Sequence, residues 1–174
     1  MNLRNTILLE HTKANCTYII NWIGNNQQRF NELFNLFLND EYRVIQRAAW
    51  PLSYAVIAHP QFIQKHFAKL LKNLKQPGIH DAIKRNTIRL LSEIEIPKAY
   101  HGEIMNTCFN YITDPVEKPS VKAFSLTMLH RLSERYPEIV PELRTIIEDR
   151  WDFESAAFKS SAKKILKEFS MNKR

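Results

Sequence analysis

Residues 45–53 read IQRAAWPLS, and the same outline returns three more times, as IKRNTIRLL at 83–91, VKAFSLTML at 121–129 and FKSSAKKIL at 158–166. The starts lie 38, 38 and 37 residues apart, a period that marks a stacked array of one repeated unit. Each copy opens on a large apolar residue followed by Lys or Gln. The fourth position after the start is small (Ala49, Thr87, Ser125, Ala162), and the seventh is apolar (Leu52, Leu90, Met128, Ile165). Offsets 0, 4, 7 and 11 share one face of a helix, so each copy predicts a helix with a buried stripe. The small residue at offset 4 lets a neighbouring helix come close. A weaker copy, TKANCTYII from Thr12, keeps Lys13 and Cys16 at the matching offsets.

Second helical patterns lie between the copies. Phe30, Leu33, Phe34, Phe37 and Leu38 make one stripe, and Phe62, Phe67, Leu70, Leu71 and Leu74 make the next. Ile104, Cys108, Phe109 and Ile112 follow, then Ile139, Leu143, Ile146 and Ile147. The joints carry His59-Pro60, Pro77-Gly78, Pro97, Asp114-Pro115 and Tyr136-Pro137, with proline suited to the first turn of a helix. The expectation is one all-α domain, 1–174, of about nine helices near 3–24, 27–38, 41–58, 60–75, 79–95, 97–113, 118–135, 137–149 and 153–170. Its repeat units fall near 1–38, 39–75, 76–113, 114–150 and 151–170. Pro51 interrupts a helical run. Aligned with Arg89, Thr127 and Lys164, it is expected to face solvent, where water can satisfy the carbonyl it leaves unbonded. Trp50 aligns with Ile88, Leu126 and Lys163 at the margin of the stripe, where packing on the adjacent repeat competes with a binding role.

Composition removes several function classes. Three glycines, Gly24, Gly78 and Gly102, are too few for a glycine-rich phosphate loop or a turn-dense β-fold. The start reads as neither signal peptide nor membrane span, which together with two unpaired cysteines, Cys16 and Cys108, suggests a cytoplasmic protein. Six histidines show no HExxH or HxH spacing, so no metal or other cofactor is expected. No GxSxG, Walker or Rossmann pattern occurs, nor the serine-rich loop of fumarase-class lyases. The formal charge of +7 is uneven: residues 41–76 hold six Lys/Arg against one acid, and residues 151–174 six against three. Such a balance biases a protein toward acidic partners.

Asp40, followed five positions later by Ile45-Gln46-Arg47-Ala48-Ala49, carries a resemblance to the HEAT-repeat family of α-solenoids. Val121-Lys122 and Phe158-Lys159 repeat its apolar–basic pair, while Gly78, Val116 and Phe153 stand where later repeats would carry the turn aspartate. Armadillo-like stacking describes the pattern nearly as well. The resemblance implies a right-handed α-α superhelix whose motif-bearing helices line a concave face. Offsets 1, 2, 6 and 9 then set a basic ladder there, comprising Arg47, Tyr54, Lys84, Arg85, Arg89, Lys122, Lys159 and Lys164, with Trp50 beside it at offset 5. A second stripe, Lys65, Lys69, Lys72 and Lys75, follows helical spacing on an intervening helix. The expected function is a non-catalytic scaffold or binding module taking an acidic protein or peptide. Nucleic acid is the alternative, on the analogy of the HEAT-like alkylpurine DNA glycosylases, for which Arg47, Trp50, Asp81 and Arg85 would be the components. A helical enzyme of unstated reaction comes third. The apolar first helix, with Leu8, Leu9, Ile19 and Ile20, suggests self-association, although the sequence leaves the oligomeric state open.

Overall fold

A run expected as one helix, 3–24, is two. A computed structural model of the protein describes residues 1–171, and in it α1 (Leu3–Leu9) ends on an extended Glu10 before α2 (Lys13–Ile23) begins. Thr12 starts the second helix, its side chain accepting a hydrogen bond from the Asn15 amide at 3.2 Å. The free carbonyls at the end of α1 are taken by side chains. The Asn15 carboxamide donates to Thr6 O at 2.8 Å and Glu10 O at 2.9 Å, and Arg47 Nη1 donates to Leu8 O at 2.7 Å. The break is therefore a hydrogen-bonded elbow, which accounts for buried carbonyls that a helix end would otherwise strand.

Eight more α-helices follow: α3 (Gln27–Asn39), α4 (Tyr42–Ala58), α5 (Phe67–Leu74), α6 (Asp81–Glu93), α7 (His101–Thr113), α8 (Pro119–Ser133), α9 (Val140–Arg150) and α10 (Ala156–Met171). Short 3-10 segments, Pro60–His66, Lys98–Tyr100, Pro137–Ile139 and Trp151–Phe153, lead into or out of them, and the described residues contain no strand. Prolines stand at the joints, as their missing N–H groups favour, and Gly78 takes the positive φ of 70° that its turn requires. The four strong motif copies lie on α4, α6, α8 and α10, and the weak one on α2. Offsets 4, 7 and 11 are buried in every strong copy, and offset 0 in all but the first, where Ile45 is half-buried beside a fully buried Val44.

Two compact units divide the chain, Met1–Glu95 and Ile96 onward. In the first, α4 packs between α2 and α6, and α3 folds back on α4 across a two-residue joint. Against that layer lie α3 and the Pro60–Leu74 segment, joined by Phe30, Phe34, Phe62 and the His66 ring, with Phe30–Phe62 centroids 5.1 Å apart. In the second unit, α8 packs on α7 and α10. Of the helix pairs consecutive in the chain, α3–α4 and α7–α8 pack most extensively, each with the motif on its second helix.

Pro51 is buried, contrary to the solvent-facing position its alignment gave. Position alone would expose it, as it half-exposes Arg89 on α6. On α4, the α1–α2 elbow folds over the same offset.

Candidate binding face of the first unit

Offsets 2, 5 and 9 of α4 place Arg47, Trp50 and Tyr54 in a row, and offsets 2 and 6 of the adjacent α6 add Arg85 and Arg89. His11, from the elbow, meets the Trp50 ring edge-on at 5.4 Å. Tyr54 lies 6.5 Å beyond Trp50, and the Arg89 guanidinium sits 4.6 Å over the Tyr54 ring. The cations converge on this row. Burial beside Trp50, reinforced by Arg47 and then Arg85, holds His11 below the ordinary histidine range. Arg89, lying over the ring, and then Trp50 beside it hold the Tyr54 hydroxyl below the ordinary tyrosine range. Arg47, Arg85 and Arg89 form no ion pair among the described residues. Glu10 is the one carboxylate at the rim.

Between the elbow and α4 lies a shallow depression with about 10 Å³ of interior space, room for little more than one water molecule, lined by His11, Cys16, Arg47 and Trp50 among others. Pockets that enclose a small-molecule substrate run to about 300–1,000 Å³. Burial pushes the Cys16 thiol up to about 11, so it stays protonated and is no nucleophile at neutral pH. Cys108, fully buried, is pushed up to about 12 by the same cause. Among the described residues no three His, Cys, Asp or Glu side chains come together as a metal site, and no helix is long and apolar enough to cross a membrane.

The remaining ladder residues separate. Lys84 is half-buried on α6 beside Arg85. Lys122, placed on the ladder by its offset, is instead in the core of the second unit at 3% exposure. Its Nζ lies 2.6 Å from Glu154 Oε1, which also accepts from Arg150 Nε at 2.8 Å. A lysine is buried only when a partner is buried with it, and Glu154 supplies one from the joint before α10. Arg150 Nη1 further donates to Thr113 O at 2.9 Å, tying the ends of α7 and α9. Lys159 and Lys163 each stand 6.0 Å from the Trp151 ring, and Lys164 is exposed on α10. His11 and the elbow were not singled out from sequence. The signal available was Thr12 followed by Asn15, a helix-start pair inside a run whose apolar spacing continued through it.

A HEAT repeat domain model matches residues 3–169. The chain belongs to the HEAT-repeat family. No curated protein and no solved structure matches it. HEAT-repeat membership makes the chain a repeat-based helical scaffold or binding module, the coarser part of what its sequence led us to expect.

Proposed function

We propose that the first unit of this HEAT-repeat protein docks an acidic protein or peptide on the α4–α6 face through Arg47, Arg85 and Arg89, with Trp50 and Tyr54 as apolar anchors. The observation that carries this reading is the trio of arginines gathered without a single ion-pair partner around two aromatic rings. Guanidinium forks suit carboxylates, which they hold by two parallel hydrogen bonds. One face of Tyr54 is already covered by Arg89 and Trp50 meets His11, which leaves little ring surface for stacking a base. A depression this small, beside a protonated thiol, favours binding over catalysis.

Titration of an Asp/Glu-rich peptide, followed by tryptophan fluorescence, tests the proposal. The Arg47→Glu, Arg85→Glu double variant is expected to weaken binding at least about a hundredfold, since each lost charge-assisted bond is worth roughly 1.5–3 kcal/mol. Unchanged affinity in that variant, with its helical content intact, would place the partner elsewhere.

A further inference from the structure

We propose that the other layer of the first unit, α3 with the Pro60–Leu74 segment, binds the phosphate backbone of a nucleic acid through Lys65, Lys69 and Lys72, flanked by a row of carboxamides. From residue 42 to residue 80 the chain has no Asp or Glu. Within that stretch Lys65, Lys69 and Lys72 are all exposed, and none forms an ion pair among the described residues. Opposite them, Gln27, Asn31, Asn35 and Asn39 recur every four residues along the exposed side of α3. Gln27 Nε2 donates to Asn31 Oδ1 and Asn39 Nδ2 to Asn35 Oδ1, both at 2.8 Å, so the amides are held in place by one another. His66 joins the two rows. Its Nε2 lies 3.0 Å from Asn31 Oδ1, and its ring packs 4.5 Å from Phe34. Glu32 is the one carboxylate on this side of α3.

An ordinary solvated helix face alternates acids and bases four apart, which supports the helix. This one does the opposite. Lys69 and Lys72 are like charges three apart on α5, and three asparagines occupy α3 where stronger helix formers would be neutral substitutes. Both choices work against the isolated fold, a pattern expected where a surface serves a ligand. A polyanion laid along the lysines would relieve their repulsion. Lysines positioning phosphates, with Asn and Gln reaching phosphate, sugar or base edge, is the division of labour seen at nucleic-acid interfaces. A membrane fits less well, because no exposed large apolar side chain lies on α3 or on Pro60–Leu74 to enter the lipid boundary. The two faces of the unit are separable, and so are their tests.

The full chain is assayed by fluorescence anisotropy against a short random-sequence DNA duplex, and in parallel against the acidic peptide. Three lysine contacts predict binding at about 50 mM salt that falls with log[salt] at a slope near −2.7. The triple variant Lys65→Ala, Lys69→Ala, Lys72→Ala should lose at least about tenfold in duplex affinity and most of that slope, with peptide binding unchanged. The Arg47→Glu, Arg85→Glu variant should lose the peptide and keep the duplex. The inference is overturned by no duplex binding at low salt, by a triple variant that binds as well as the parent, or by duplex binding that disappears with Arg47 and Arg85. Binding to phosphatidylserine vesicles without binding to duplex would overturn it as well.

Discussion

Lys122 and Glu154 show how little a residue's type says about its duty when a repeat offers the same position several times. Offset 1 holds Gln46, Lys84, Lys122 and Lys159, yet of these only Lys122 is buried. Its partner stands 32 residues away, beyond anything the helical period can report. Because Arg150 stays on Glu154 when Lys122 is removed, Lys122→Met should cost about 3 kcal/mol, the low end for breaking a buried pair. Glu154→Gln strands two cations and should cost more, about 4–5 kcal/mol. Urea unfolding of both variants checks the order, and a reversed order would mean that packing of the Lys122 stem, not its pairing with Glu154, carries the contact. Histidines set a second residue-scale expectation. His11 is held down by burial, Arg47 and Arg85, and His66 by burial, Lys69 and Lys65. Above the unfolded value of about 6.5 both are neutral in either state. Below it the unfolded chain takes up protons that the folded one resists, so stability falls as pH drops from about 6.5 toward 5. Melting curves of the His11→Asn, His66→Asn variant should be flatter over that interval. An anion bound between Arg47 and Arg85 reverses the effect at His11, so the parent should bind the acidic peptide more tightly at pH 6 than at pH 7.5, and the His11→Asn variant should not.

At the scale of the element, the helix period made most of the fold legible and concealed its exceptions. Offsets 4, 7 and 11 were readable because each motif helix buries a similar stripe against similar neighbours. The elbow at Glu10–Thr12 was not, since apolar residues continue in phase through it and the break is held by Asn15 and Arg47 from outside α1. Pro51 was misjudged for the same cause, the elbow being its cover. The arginine row was legible as a stripe on two helices, but its aromatic company, Trp50 against His11, needed the elbow in place. Pro51→Ala weighs these forces directly. Alanine recovers up to about 3 kcal/mol of helix propensity and loses about two buried methylenes, worth roughly 1.6 kcal/mol together, plus some cavity cost. The expected result is a gain of about 1 kcal/mol. A loss instead would show that the ring's fit under the elbow outweighs the missing hydrogen bond. Thr12→Ala should cost about 1 kcal/mol through the lost cap of α2.

For the molecule as a whole, the HEAT-repeat architecture makes stability a sum of local terms. Each helix pair touches mainly its neighbours, so a lesion is felt first where it is made. The division at Glu95–Ile96 sharpens this into a question that one variant can answer. Lys122→Met weakens only contacts between α8 and the joint before α10. A loss of about 3 kcal/mol confined to the second unit would lower amide protection in α8 and α10 by roughly a hundredfold, leaving α3, α4 and α6 as protected as in the parent. Equal loss of protection in all five helices would mean that the two units open as one cooperative body. The distinction bears on function, because both proposed binding faces lie on the first unit. If the units open separately, the Lys122→Met variant should bind the acidic peptide with parental affinity at a temperature where its second unit has already begun to exchange.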